Sequence, residues 1–112
     1  MTLESAVNRA SQFPGEKIVV FENGRGPVKE MSYRGYYSDL AFSTGAPPTV
    51  AEFLARCQAA IGKTYEGYKG GDFTMEESTP LWRAEYGSMG EAIIDAVRDA
   101  DGNMLLICKQ ID

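Results

Sequence analysis

Pro47 and Pro48, followed by Thr49 and, three residues on, Glu52, open a helix that this chain can hardly avoid forming. Threonine and glutamate at that spacing satisfy each other's end-of-helix amides, and the prolines cannot extend the helix backwards. Val50, Phe53, Leu54, Cys57 and Ile61 then recur at helical spacing and make one apolar face that stops at Gly62. A helix over 49–61 with one apolar side has to lie on something, and the rest of the chain reads mostly as sheet.

Thr2 caps a shorter helix carrying Leu3, Ala6, Val7 and Ala10, ended by Phe13-Pro14-Gly15. Lys17 to Glu22 has the β-branched content of a buried strand, and Asn23 to Pro27 is a turn signal. A longer strand region runs from about Val28 to Phe42, broken or bulged at Gly35. Residues 63–79 are glycine-rich and aromatic with few aliphatics, an ordered loop with room for one short strand. Leu81 to Tyr86 reads as a strand. Ala92 to Ile111 reads as a hairpin turning at Asp101-Gly102-Asn103, although Ile93, Ala96, Val97 and Ala100 also fit a helical face over 91–100. Helices before and between strands predict a single α+β domain over 1–112, with a mainly antiparallel sheet and two helices.

Composition narrows the function. Hydrophobic residues at 44% and charged residues at 24% are ordinary globular values, which sets disorder aside. No apolar run approaches the roughly 18 residues of a membrane-spanning helix, and the first residues lack a secretory pattern, so a cytoplasmic protein is expected. Cys57 and Cys108 each sit in an apolar pattern, as buried reduced thiols do. A net charge of −5 argues against duplex nucleic-acid binding, because that affinity depends on neutralising phosphates. Small anions remain open to a few well-placed cations.

The chain has no histidine, which removes the commonest general base and metal ligand. Gly62-Lys63-Thr64 has the look of a phosphate loop, but Cys57 stands where that loop needs glycine, and a helix stop followed by a strand explains it better. Asp95, Asp99 and Asp101 lack the ligand spacing of a calcium loop. Asp72, Glu76 and Glu77 form an acidic loop whose alternative use is a catalytic carboxylate pair. No metal, cofactor or catalytic residue is assigned.

Recognition chemistry is what remains. Ser32 to Phe42 sets Tyr33, Tyr36, Tyr37 and Arg34 around Gly35. Arginine grips phosphate through its fork while tyrosines stack on flat rings, at about 1–3 kcal/mol per stacked base. Lys69 stands beside Gly70 and Gly71, which form an anion-binding concavity if they take positive φ, with Phe73 close behind. Trp82, Arg83 and Tyr86 complete the candidate wall. Strand alternation puts Trp82 and Tyr86 on one side and Arg83 on the other, so either the Trp82 side is core or the site is shared between subunits. The candidate ligand-binding set is therefore Arg34, Tyr36, Tyr37, Lys69, Gly70, Gly71, Phe73, Trp82, Arg83 and Tyr86.

Tyr33 to Phe42, Ile61 to Gly71 and Leu81 to Gly87 together resemble small proteins of phages and prophages, the first Thoeris anti-defence family. The likeness covers about the middle half of the chain. It implies a homo-oligomeric sponge in the cytoplasm of an infected bacterium. Such a sponge binds cyclic ADP-ribose-type signals or cyclic oligonucleotides without cleaving them. Two other functions compete. The same tyrosines, tryptophan and arginines would anchor an inhibitor or adaptor on a host protein, and Asp72, Glu76 or Glu77 would serve a small hydrolase.

Overall fold

The computed structural model describes residues 1–84 and 90–110. In chain order they form α1 (Leu3–Ala10), β1 (Val19–Phe21), β2 (Gly26–Ser32), β3 (Leu40–Gly45), α2 (Val50–Ala60), β4 (Thr64–Glu66), β5 (Asp72–Thr74), β6 (Leu81–Arg83), β7 (Glu91–Arg98) and β8 (Met104–Lys109). Both helices begin where the sequence puts their caps. Thr49 Oγ1 accepts from the Glu52 amide at 3.1 Å, and Glu52 Oε1 accepts from the Thr49 amide at 2.9 Å. Thr2 and Ser5 repeat the exchange at the start of α1. Gly62 ends α2 with φ +84°, a conformation that disfavours residues with a Cβ.

Six strands pair in the order β1-β8-β7-β6-β3-β2, and β4 with β5 makes a separate two-stranded hairpin. The large sheet is mixed and not purely antiparallel: β1 runs parallel to β8 and β3 parallel to β6, while its other three pairings are antiparallel. The second of these parallel pairs needs a long crossover, which α2 and the β4–β5 hairpin supply. The two edge strands, β1 and β2, are joined by the turn 22–25, where the Phe21 amide donates to the Arg25 carbonyl at 2.7 Å. The sheet therefore curls until its two ends lie against each other. The α+β class stands.

Of three local expectations, two are met in finer form and one changes. The stretch from Val28 to Phe42 is two strands separated by a loop over 33–39, closed by the Tyr33 amide on the Asp39 carbonyl at 2.9 Å. Residues 63–79 contain two short strands in place of one. Residues 91–98 are strand, and the tail is the hairpin that the Asp-Gly-Asn turn announces. The helix-like spacing there has a physical origin. A bulge between Ile93 and Asp95 adds one residue, so Ile93 and Ala96 both reach the core although they are three apart, and Ile94 and Val97 face outward.

One face of the sheet packs on both helices. Leu3 and Ala6 of α1, Phe53 and Cys57 of α2, and Phe21, Phe42, Leu81, Ile93 and Leu106 of the strands are fully buried there. The opposite face carries a smaller cluster, Tyr33, Ala41, Trp82 and Ala92, with Met31 and Ala84 at its margin. Among the described residues no helix is long and apolar enough to cross a membrane.

Candidate functional site

The loop over 33–39 and the β4–β5 hairpin come from distant parts of the chain and meet in space. The Arg34 guanidinium carbon lies 3.8 Å from the centre of the Tyr68 ring. Tyr37 packs at a tilt on Phe73 with ring centres 5.6 Å apart. These two contacts join two of the three aromatic segments of the sequence into one surface.

The third segment joins through Trp82. Its ring stacks on Tyr33 at 4.3 Å between centres and 11° between planes, and Tyr36 leans on the same ring at 6.1 Å. The pair is held at three points. Tyr33 Oη accepts from the Gly90 amide at 3.0 Å, Trp82 Nε1 donates to Asp39 Oδ2 at 2.8 Å, and Ser32 Oγ donates to the Tyr37 carbonyl, tying down the loop between them. Burial pushes the Tyr33 phenol above the usual tyrosine range; the Gly90 amide opposes the rise, and nearby Tyr36 and Asp39 add to it. Tyr33 and Trp82 thus form a fixed base, and Tyr36, 60% exposed, is the ring presented outward.

Alternation along β6 separates the two residues that follow Leu81. Trp82 belongs to the aromatic face, whereas Arg83 turns to the helix-bearing side, where it pairs with Glu91 and lies 5.5 Å from the centre of the Phe21 ring. Arg83 there lines a recess of about 410 Å³ with Glu22, Asn23, Glu91 and Cys108. It stands apart from Arg34. Tyr86 lies outside the described residues.

At the hairpin tip the Gly67 amide donates to the Gly71 carbonyl at 2.8 Å, and the Gly70 amide to the Gly67 carbonyl at 2.9 Å. Gly70 and Gly71 do take positive φ, +93° and +83°. The tip is a tight turn followed by a left-handed residue, a common way to close a hairpin. Its Gly70 amide is engaged by the loop's own Gly67 carbonyl and so is already taken as a donor. Lys69 is exposed at the same tip, next to Tyr68, which is 63% exposed.

The cavity bordered by Tyr33 and Arg34 holds only about 40 Å³. That is little more than one water molecule at ~30 Å³. Among the described residues the candidate set is an open surface of stacked rings and one arginine, not an enclosed phosphate pocket. Asp72, Glu76 and Glu77 are all exposed. Cys57 and Cys108 form no disulfide; burial pushes the Cys57 thiol up to about 12.

Two contributors were not singled out from sequence. Tyr68 lay within the glycine-rich segment, and only the fold shows that it receives Arg34. Asp39 carried no signal of its own until its bond to Trp82 was visible. Compared with protein-family models, curated proteins and solved structures, the chain matches none.

Proposed function

We propose that this protein binds a small cyclic nucleotide signal of the cyclic ADP-ribose type and sequesters it intact, as a phage anti-defence protein acting inside its bacterial host. The observation that carries the proposal is the convergence of Arg34, Tyr68 and Tyr36 on one surface backed by the rigid Tyr33–Trp82 stack. Flat rings take the face of a base, and the guanidinium takes a phosphate. Tight sequestration needs the ligand desolvated, because charge contacts weaken steeply in water. A second copy of the chain closing over Tyr36 and Tyr68 would provide that cover, so the proposed sponge works as a homo-oligomer. Incubation with cyclic ADP-ribose isomers and cyclic dinucleotides, followed by heat release, tests the reading. Intact ligand in the released fraction supports it, and cleaved product would make the protein an enzyme.

A second reading draws on one specific observation. Tyr36 and Tyr68 are 60% and 63% exposed beside a recess of only about 40 Å³, the form of a protein-binding patch more than of a small-molecule cleft. An inhibitor or adaptor of a host protein would use those rings as anchors. Its partner would be lost with Tyr36→Ala and kept with Arg34→Ala, whereas a phosphate ligand would be lost with both.

A further inference from the structure

A separate recess of about 270 Å³ opens between the 33–39 loop and the 76–80 turn, lined by Ser38, Asp39, Thr74, Glu76, Ser78 and Thr79. It has room for about nine waters at ~30 Å³ each, a volume that suits one sugar ring and not a whole nucleotide. None of its lining residues is a lysine or arginine. Two carboxylates and no cation repel phosphate. They accept hydrogen bonds readily, and the serine and threonine hydroxyls can both donate and accept. Carboxylate acceptors set among hydroxyls are a set that a ligand rich in hydroxyls can satisfy.

The walls are built before any ligand arrives. Thr79 Oγ1 accepts from the Glu76 amide at 2.7 Å, and the Thr79 amide donates to the Glu76 carbonyl at 3.1 Å, which fixes the turn. The Leu40 amide donates to the Pro80 carbonyl at 3.1 Å and ties the turn to the loop opposite. Asp39 belongs to both places. Its Oδ2 accepts from Trp82 Nε1, and a carboxylate can accept about four hydrogen bonds, so capacity remains for the recess. Through that bond the recess adjoins the ring system that carries Tyr36.

We propose that this recess binds a vicinal diol, with Asp39 and Glu76 as its acceptors, and that in a nucleotide it takes the ribose while the base stacks on Tyr36. The ribose assignment rests on the nucleotide reading above; the diol assignment does not. The test is an amide-resolved NMR titration of the whole chain with methyl β-D-ribofuranoside. Shifts are expected at residues 38–39 and 74–79, with affinity about tenfold weaker in Asp39→Asn and in Glu76→Gln, the loss of one charge-assisted hydrogen bond. Asp39→Asn keeps an oxygen for Trp82, and its amide spectrum reports whether the fold is intact. A second arm compares adenosine 5′-monophosphate with its 2′,3′-dideoxy analogue, and the dideoxy form is expected to bind at least tenfold more weakly. Riboside binding at these residues without nucleotide binding at Tyr36 would support the recess and sink the nucleotide reading. Equal binding of both nucleotides at Tyr36, with 38–39 and 74–79 unmoved, would overturn the recess and leave that reading intact. Shifts there from magnesium chloride or butylammonium, with none from the riboside, would also overturn it.

Discussion

Replacing Tyr33 by phenylalanine removes one oxygen from the base of the aromatic surface and nothing else. The ring can still stack on Trp82 at 4.3 Å, but the Gly90 amide loses the acceptor that it meets at 3.0 Å. That bond is buried, and a buried amide without a partner costs about 1–3 kcal/mol. At ~2.1 cal/mol/K per residue, the 112 residues give an unfolding entropy of about 0.24 kcal/mol/K, so the melting temperature should fall by about 4–12 °C. Circular dichroism melts at neutral pH measure it. The alkaline limb gives a second readout. Because the folded phenol holds its proton above its ordinary value of 10.0, its contribution is complete below that pH and is lost as pH rises through the folded value. Phenylalanine has no proton to lose, so the gap between the two proteins should narrow in strong alkali. A melting temperature within a degree of the parent, with an unchanged alkaline limb, would show that the Tyr33–Gly90 bond does not hold this face together.

Other outcomes follow from single contacts. Thr49→Ala should lower stability by about 1 kcal/mol, roughly 4 °C, through loss of the α2 cap. The Thr49 amide, and after it the Thr49 hydroxyl, hold the Glu52 carboxyl below its usual range; alanine keeps the amide and loses the hydroxyl, so only that smaller part, present above pH 4.5 and lost on acidification, should narrow the deficit in acid. A Cβ at Gly90 would stand 2.3 Å from the Arg83 carbonyl oxygen, whereas one at Gly62 would meet only open space. Gly90→Ala should therefore cost at least ~2 kcal/mol by overpacking, and Gly62→Ala about 1 kcal/mol from its positive φ alone; denaturant midpoints compare them. With its thiol pushed to about 12, Cys57 should resist iodoacetamide at pH 8 while half-buried Cys108 reacts, and both should react in urea. Equal native rates, read by peptide mass spectrometry, would contradict the burial.

Local signals were legible in the sequence where the chemistry itself is local. Thr49 with Glu52, Gly62 after Ile61, and Asp101-Gly102-Asn103 each dictate backbone within a few residues, and each stands where the sequence puts it. Long-range strand partners were not legible, because the parallel pairing of Val19–Phe21 with Met104–Leu106 joins the two ends of the chain and leaves no short-range mark. Ile93 and Ala96 show how an ambiguity arises: a bulge gave the strand its helix-like spacing, and the Asp-Gly-Asn turn resolved it correctly as a hairpin. In the candidate site, Arg34, Tyr36 and Trp82 were visible as residue types, and alternation along Leu81–Arg83 correctly separated Trp82 from Arg83. What composition could not supply was company. Tyr68 under Arg34 and Asp39 under Trp82 depend on three segments meeting, and the amide of Gly70 is taken up by the turn that positions Tyr68.

The most direct measurement is thermal stability with cyclic ADP-ribose isomers and cyclic dinucleotides, each at saturating concentration, on the parent chain and on Arg34→Ala and Tyr36→Ala. Ligand at 100 times its dissociation constant adds about 2.7 kcal/mol. On this chain of 112 residues that is a rise of about 11 °C. At least one of these ligands should produce a shift of that size, and both variants should largely abolish it. No shift from any of them, or a shift that survives both substitutions, would contradict the claim that Arg34, Tyr36 and Tyr68 form a nucleotide-binding surface.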